Sequence, residues 1–105
     1  YNVTLELSYA MKADGTYIIK CTGDTDNFKY RIFVCNKIFT NKYSVCHEDD
    51  GWSLVDEKIS DTDLEIMLDT AYYKIEVIGY KGSATIKKEL VIDNRKLHVA
   101  NYDKE

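Results

Sequence analysis

Tyr72-Tyr73-Lys74-Ile75-Glu76-Val77-Ile78-Gly79-Tyr80 is the stretch on which the fold turns. Side chains of an extended strand point alternately to its two faces. Tyr73, Ile75 and Val77 therefore share one face, and Lys74 and Glu76 the other. Gly82-Ser83 supplies a turn, and Ala84–Ile92 reads as a strand running back. A strand flanked by other strands and entered through an aromatic-bearing corner is the centre of a β-sandwich.

Working outward, the same period of two recurs towards the N-terminus. Val3, Leu5, Leu7 and Tyr9 alternate with polar residues over Asn2–Ala10. Ala13-Asp14-Gly15 makes a turn, because Asp-Gly accepts the positive φ of tight hairpins. Thr16–Thr22 follows as a strand with Tyr17, Ile19 and Cys21 on one side. Residues 23–27 are rich in side chains that hydrogen-bond their own backbone, so they read as a second turn. Phe28–Cys35 then splits into a Phe28/Tyr30/Ile32/Val34 stripe and a Lys29/Arg31/Phe33/Cys35 stripe.

Asn36-Lys37 is the expected two-residue turn into a strand at Ile38–Val45, pairing Val34 with Phe39 and Tyr30 with Tyr43. A turn at Thr40-Asn41 would instead set Cys35 opposite Cys46, but Asn is the better first turn residue. His47–Gly51 is a polar loop, Trp52–Val55 regains apolar character, and Asp56–Asp63 reads as an acidic loop. Leu64, Ile66 and Leu68 mark a further strand. Ser60–Asp69 is the only competitor for a helix, and its apolar spacing is two.

The expected architecture is all-β: a two-sheet antiparallel β-sandwich of about seven strands. One sheet would hold Asn2–Ala10, Thr16–Thr22 and Leu64–Leu68; the other Ile38–Val45, Phe28–Cys35, Tyr72–Tyr80 and Ala84–Ile92. The expected core is Val3, Leu5, Leu7, Tyr17, Ile19, Tyr30, Ile32, Val34, Leu64, Ile66, Leu68, Tyr73, Ile75, Val77, Ile86 and Leu90. Residues 1–94 form the domain, and residues 95–105 a last edge strand or a linker.

The 105 residues carry a net charge of −4, and the basic residues are scattered singly. A nucleic-acid surface needs clustered Lys and Arg, so that partner is not expected. No apolar run approaches the length that crosses a bilayer, so membrane insertion is not expected either. Proline is absent, which leaves turn-making to Gly, Asn and Asp. Heavy use of Lys, Ile, Asn and Tyr points to a low-GC bacterial source, and Tyr1 to a piece of a longer protein. Asn2-Val3-Thr4 fits a glycosylation sequon. Of the three cysteines, Cys21 lies on an apolar strand face, where a free thiol behaves as a small buried hydrophobe. A Cys35–Cys46 bridge is open and depends on the register of that hairpin.

From Phe28 to Ile92 the order of features resembles fibronectin type III and immunoglobulin-like domains. Leu68 followed by Tyr73, Ile75 and Val77 is similar to the corner where a tyrosine hydroxyl bonds upstream backbone. Ile75 stands where an immunoglobulin domain has cysteine, so the disulfide-pinned type does not fit. Tyr30–Val34, Trp52 and Tyr73–Val77 also resemble the bacterial three-Y domains, and β-sandwich modules appended to sensors and to enzymes of surface-glycan synthesis. The resemblance implies a non-catalytic module.

Cys46-His47-Glu48 raises thiol-hydrolase chemistry, but adjacent residues on a strand point to opposite faces, and the only other base is His98. Asp24/Asp26/Asn27 lacks the Gly and distal Glu of a calcium loop. Asp49, Asp50, Asp56, Glu57, Asp61 and Asp63 read as solvated loop charge. No catalytic residue, metal site or cofactor is expected. Trp52, Tyr43 and Tyr80 are the candidate contact residues, since flat rings stack on sugars and present apolar area with a polar edge. Phe33, on the less buried face of its strand, joins them. The expected function is that of a non-enzymatic accessory module of a larger bacterial protein, contacting its neighbouring domains and a protein partner or surface glycan. A passive spacer is the alternative, and a Cys/His hydrolase the remote one.

Overall fold

The computed structural model describes residues 3–38 and 43–95. Among these residues, seven strands form two antiparallel sheets: β1 (Glu6–Met11), β2 (Tyr17–Thr22), β3 (Asn27–Cys35), β4 (Trp52–Ser60), β5 (Leu64–Ile66), β6 (Tyr72–Lys81) and β7 (Ala84–Asp93). Their order is β1-β2-β5 in one sheet and β4-β3-β6-β7 in the other. The chain is a β-sandwich, as the alternation predicts. No helix among the described residues is long and apolar enough to cross a membrane.

β6 holds the centre of the larger sheet because both its faces are covered. Tyr73, Ile75 and Val77 are buried inward, with β3 on one side and β7 on the other. Gly82 takes φ +59° at the first position of the two-residue turn between Lys81 and Ala84, a geometry open to glycine at no steric cost. The Tyr73 hydroxyl meets the backbone N–H of Asp69, four residues upstream. Asn94 ties the same end: its side-chain amide donates to the carbonyls of Leu68 (3.0 Å) and Asp69 (2.7 Å), and its Oδ1 accepts from Tyr17 (2.8 Å).

The expected core is largely observed, with shifts at its rim. Phe28 and Ile92, absent from it, are buried, while Leu7, Val34, Ile66, Ile86 and Leu90 are only partly covered. Val3 is also half-buried, and the first strand begins at Glu6 rather than Asn2.

The largest correction concerns the strand beside β3. Ile38 and Tyr43–Val45 are not strand, residues 39–42 lie outside the described residues, and the edge strand is Trp52–Ser60. Val34 pairs with Ser53 and Tyr30 with Lys58, not with Phe39 and Tyr43. A covalent constraint decides this. Cys35 and Cys46 form a disulfide, with Cα atoms 6.3 Å apart, and the Asn36 N–H donates to the Gly51 carbonyl at 3.0 Å. Together they close residues 36–51 into a loop whose exit, Trp52, sits opposite Cys35. The expected acidic loop is therefore strand as far as Ser60. Its inward side chains Ser53, Asp56 and Lys58 are exposed, because the three-stranded sheet does not extend beneath them.

Candidate functional site

The outer face of the four-stranded sheet carries a row of alternating cations and rings. Register puts Phe33 beside Lys74 and Cys35 beside Trp52. The Arg31 guanidinium lies 5.2 Å from the Phe33 ring centre, and Lys74 Nζ lies 5.1 Å from Phe33 and 4.8 Å from Trp52. Trp52 packs tilted on Tyr72 at 6.2 Å, and Arg95 stands 5.0 Å over Tyr72. Cations are attracted to the negative faces of aromatic rings, most strongly where water is excluded. Lys74 and Glu76 are accordingly only 7% exposed although they face outward. Glu76 is held by Arg31 at 3.1 Å and Lys87 at 3.8 Å. Arg31 Nε lies 3.3 Å from a Glu57 oxygen but off the hydrogen-bond direction, so that contact is ionic only.

The disulfide-closed loop caps one end of this row. The Trp52 indole N–H donates to the His47 carbonyl at 3.2 Å, and Lys74 pairs with Glu48 at 3.4 Å. His47 precedes a short 3-10 turn, Glu48–Asp50, and its backbone N–H donates to the Asp50 carboxylate at 2.7 Å. That donor holds the Asp50 carboxyl below the usual carboxylate range. Arg95 is buried, chelates Asp93, and donates to the Ser44 carbonyl at 2.7 Å.

The four expected contact residues divide accordingly. Phe33 and Trp52 meet through Lys74, so their faces are already occupied. Tyr43 stands 80% exposed on the loop. Tyr80 is half-buried near the opposite end of β6, paired with Asn27 and Thr85, and lies about 20 Å along the strand from Lys74. No single platform unites them. Lys74, Arg31 and Arg95 complete the row and are not among the expected residues; the signal for the first two is alternation, which puts Lys74 and Arg31 on the Phe33 face. The acidic residues weighed as calcium ligands are dispersed: Asp24 pairs with Lys81 at 2.6 Å, and Asp56 and Glu57 face opposite sides of β4. Cys46 is spent in the disulfide, and His98 lies outside the described residues. Cys21 is half-buried, with its thiol 3.2 Å from the Tyr30 hydroxyl and pushed up by burial.

No protein-family model, curated protein or solved structure matches this chain.

A cleft opens on the other side of β4, between the two sheets. It has a volume of about 320 Å³, a floor of Ile32, Val34 and Tyr73, and walls of Val55 and Ile66–Leu68. Asp56 and Asp69 stand among its lining residues. A β-bulge builds it: Ile32 pairs with Asp56 and Phe33 with Leu54, leaving Val55 unpaired. The extra residue turns Val55 and Asp56 together towards the cleft, where strict alternation would separate them.

Proposed function

We propose that this chain is a non-enzymatic interaction module of a larger bacterial protein, of the fibronectin-III-like accessory kind, and that it contacts a protein partner. One observation carries the reading. Among the described residues, six of the ten exposed large apolar side chains (Ile38, Tyr43, Val45, Leu54, Val55 and Ile59) lie between Ile38 and Ile59. Concentrated apolar exposure marks interaction surfaces. Val45 stands between Ser44, whose carbonyl Arg95 holds, and Cys46, which is bonded to Cys35, so it has little freedom left to lose on binding. The disulfide also suits an exported or surface-exposed parent. A glycan platform is the weaker reading, because Lys74 and Tyr72 already pack on the Trp52 ring.

Photo-crosslinking in the full-length protein tests this. A crosslinker placed at Tyr43 or at Ile59 should capture one and the same protein species, whereas one at Lys87 should not. Equal capture from all three positions, or none, would leave a spacer. Saturable chemical-shift changes at Trp52 and Tyr43 with an oligosaccharide panel would replace the protein partner with a glycan.

A further inference from the structure

We infer that the cleft between β4 and the β5–β6 corner is a second binding site, for an extended peptide bearing a basic side chain two residues from an aliphatic one. The site lies on the opposite side of β4 from Leu54 and Ile59, and of the exposed apolar side chains named above it uses Val55 alone. Its floor is apolar, so an aliphatic side chain entering it is withdrawn from water. Asp56 and Asp69 have no ion pair among the described residues, although Lys58 lies on the same side of β4. Among the described residues, Asp56 is engaged through one oxygen, which accepts the Glu57 N–H at 2.8 Å. Two unneutralised carboxylates beside an apolar trough select a cation and disfavour an anion. Met67, 64% exposed, gives the wall a flexible, polarizable lip, a side chain recurrent at surfaces that adapt to peptides.

The cleft also lies between unpaired sheet edges. Among the described residues, β4 is hydrogen-bonded only to β3, and β5 only to β2. Each is thus an edge strand among the described residues, and an added strand satisfies the backbone donors and acceptors of an open edge. That is the argument for an extended peptide over a small organic cation. Strand alternation would send every second side chain of the peptide into the trough and leave the intervening ones in solvent.

The probe is an acetylated, amidated hexapeptide, Lys-Thr-Val-Thr-Lys-Thr, whose lysines and valine share one face of a strand, titrated into the isotope-labelled chain. A control peptide has both lysines replaced by glutamate. Amide shifts should saturate at Val55, Asp56 and Met67–Asp69 while Tyr43 and Lys87 stay still, and affinity should fall with added salt. The double variant Asp56→Asn/Asp69→Asn should weaken binding about fivefold, as the loss of two exposed ion pairs does, with its spectrum otherwise unchanged. Those substitutions spare the Asp69 backbone N–H that Tyr73 uses. The proposal is overturned by the absence of saturation at millimolar lysine peptide, by equal binding of the glutamate peptide, or by unaltered affinity in the double variant. Shifts that grow with protein concentration alone would also overturn it, by seating a second copy in the cleft.

Discussion

Lys74 shows how a single residue can be charged, outward-facing and still buried. Its ammonium lies over both the Phe33 and the Trp52 rings, so the outer face of the sheet has a small core of its own. The nearby carboxylates add less: Glu48 is largely exposed at 3.4 Å, and Glu89 lies at 4.0 Å. Lys74→Met keeps the length of the chain and removes the charge. It should cost about 1–2 kcal/mol in urea unfolding, the scale of partly desolvated cation–ring contacts. Trp52 is the only tryptophan, so its emission should shift in the same variant. Lys87→Met, on an exposed side chain bound at 3.8 Å to a carboxylate that Arg31 also holds, should change stability by less than about 0.5 kcal/mol.

Among the elements, the disulfide-closed loop contributes most beyond simple alternation. Removing the bond between Cys35 and Cys46 with Cys35→Ala/Cys46→Ala should lower stability by about 3 kcal/mol, the chain-entropy value for a loop of this length. Calorimetry of oxidised, reduced and doubly substituted protein measures it, and the last two should agree. This is also where sequence reading ran out. β6 and β7 were legible because apolar residues recur at alternate positions along one face of each, and the turn between them is a two-residue Gly-Ser. β4 was not, because its inward positions Ser53, Asp56 and Lys58 overhang the smaller sheet and stay polar. Asn36-Lys37 offered good turn chemistry for a strand at Ile38–Val45, and a covalent bond across eleven positions overrode it. The cleft rests on a one-residue slip at Val55, which no glycine or other local signal marks.

Across the whole molecule, three buried tyrosines couple the fold to alkaline pH. Tyr17, Tyr30 and Tyr73 join both sheets in one core, and burial is the leading cause that raises each hydroxyl above its ordinary value of 10.0. The hydroxyl of Tyr30 also donates to the Thr62 carbonyl at 2.8 Å. In the unfolded chain these groups lose their protons near pH 10, whereas the folded chain retains them. Their contribution is thus complete below pH 10 and declines as pH rises through the elevated folded values. Denaturant midpoints should hold on the neutral side and fall steadily above about pH 10, and Tyr30→Phe should soften that fall. Arg95 has a mechanical consequence of its own. Its guanidinium grips the Ser44 carbonyl, and Cys46 ties that segment to the end of β3. Traction on the backbone beyond Arg95 would therefore be shared with a strand in the middle of the larger sheet, sparing β7 from bearing the whole load as a peeling flap.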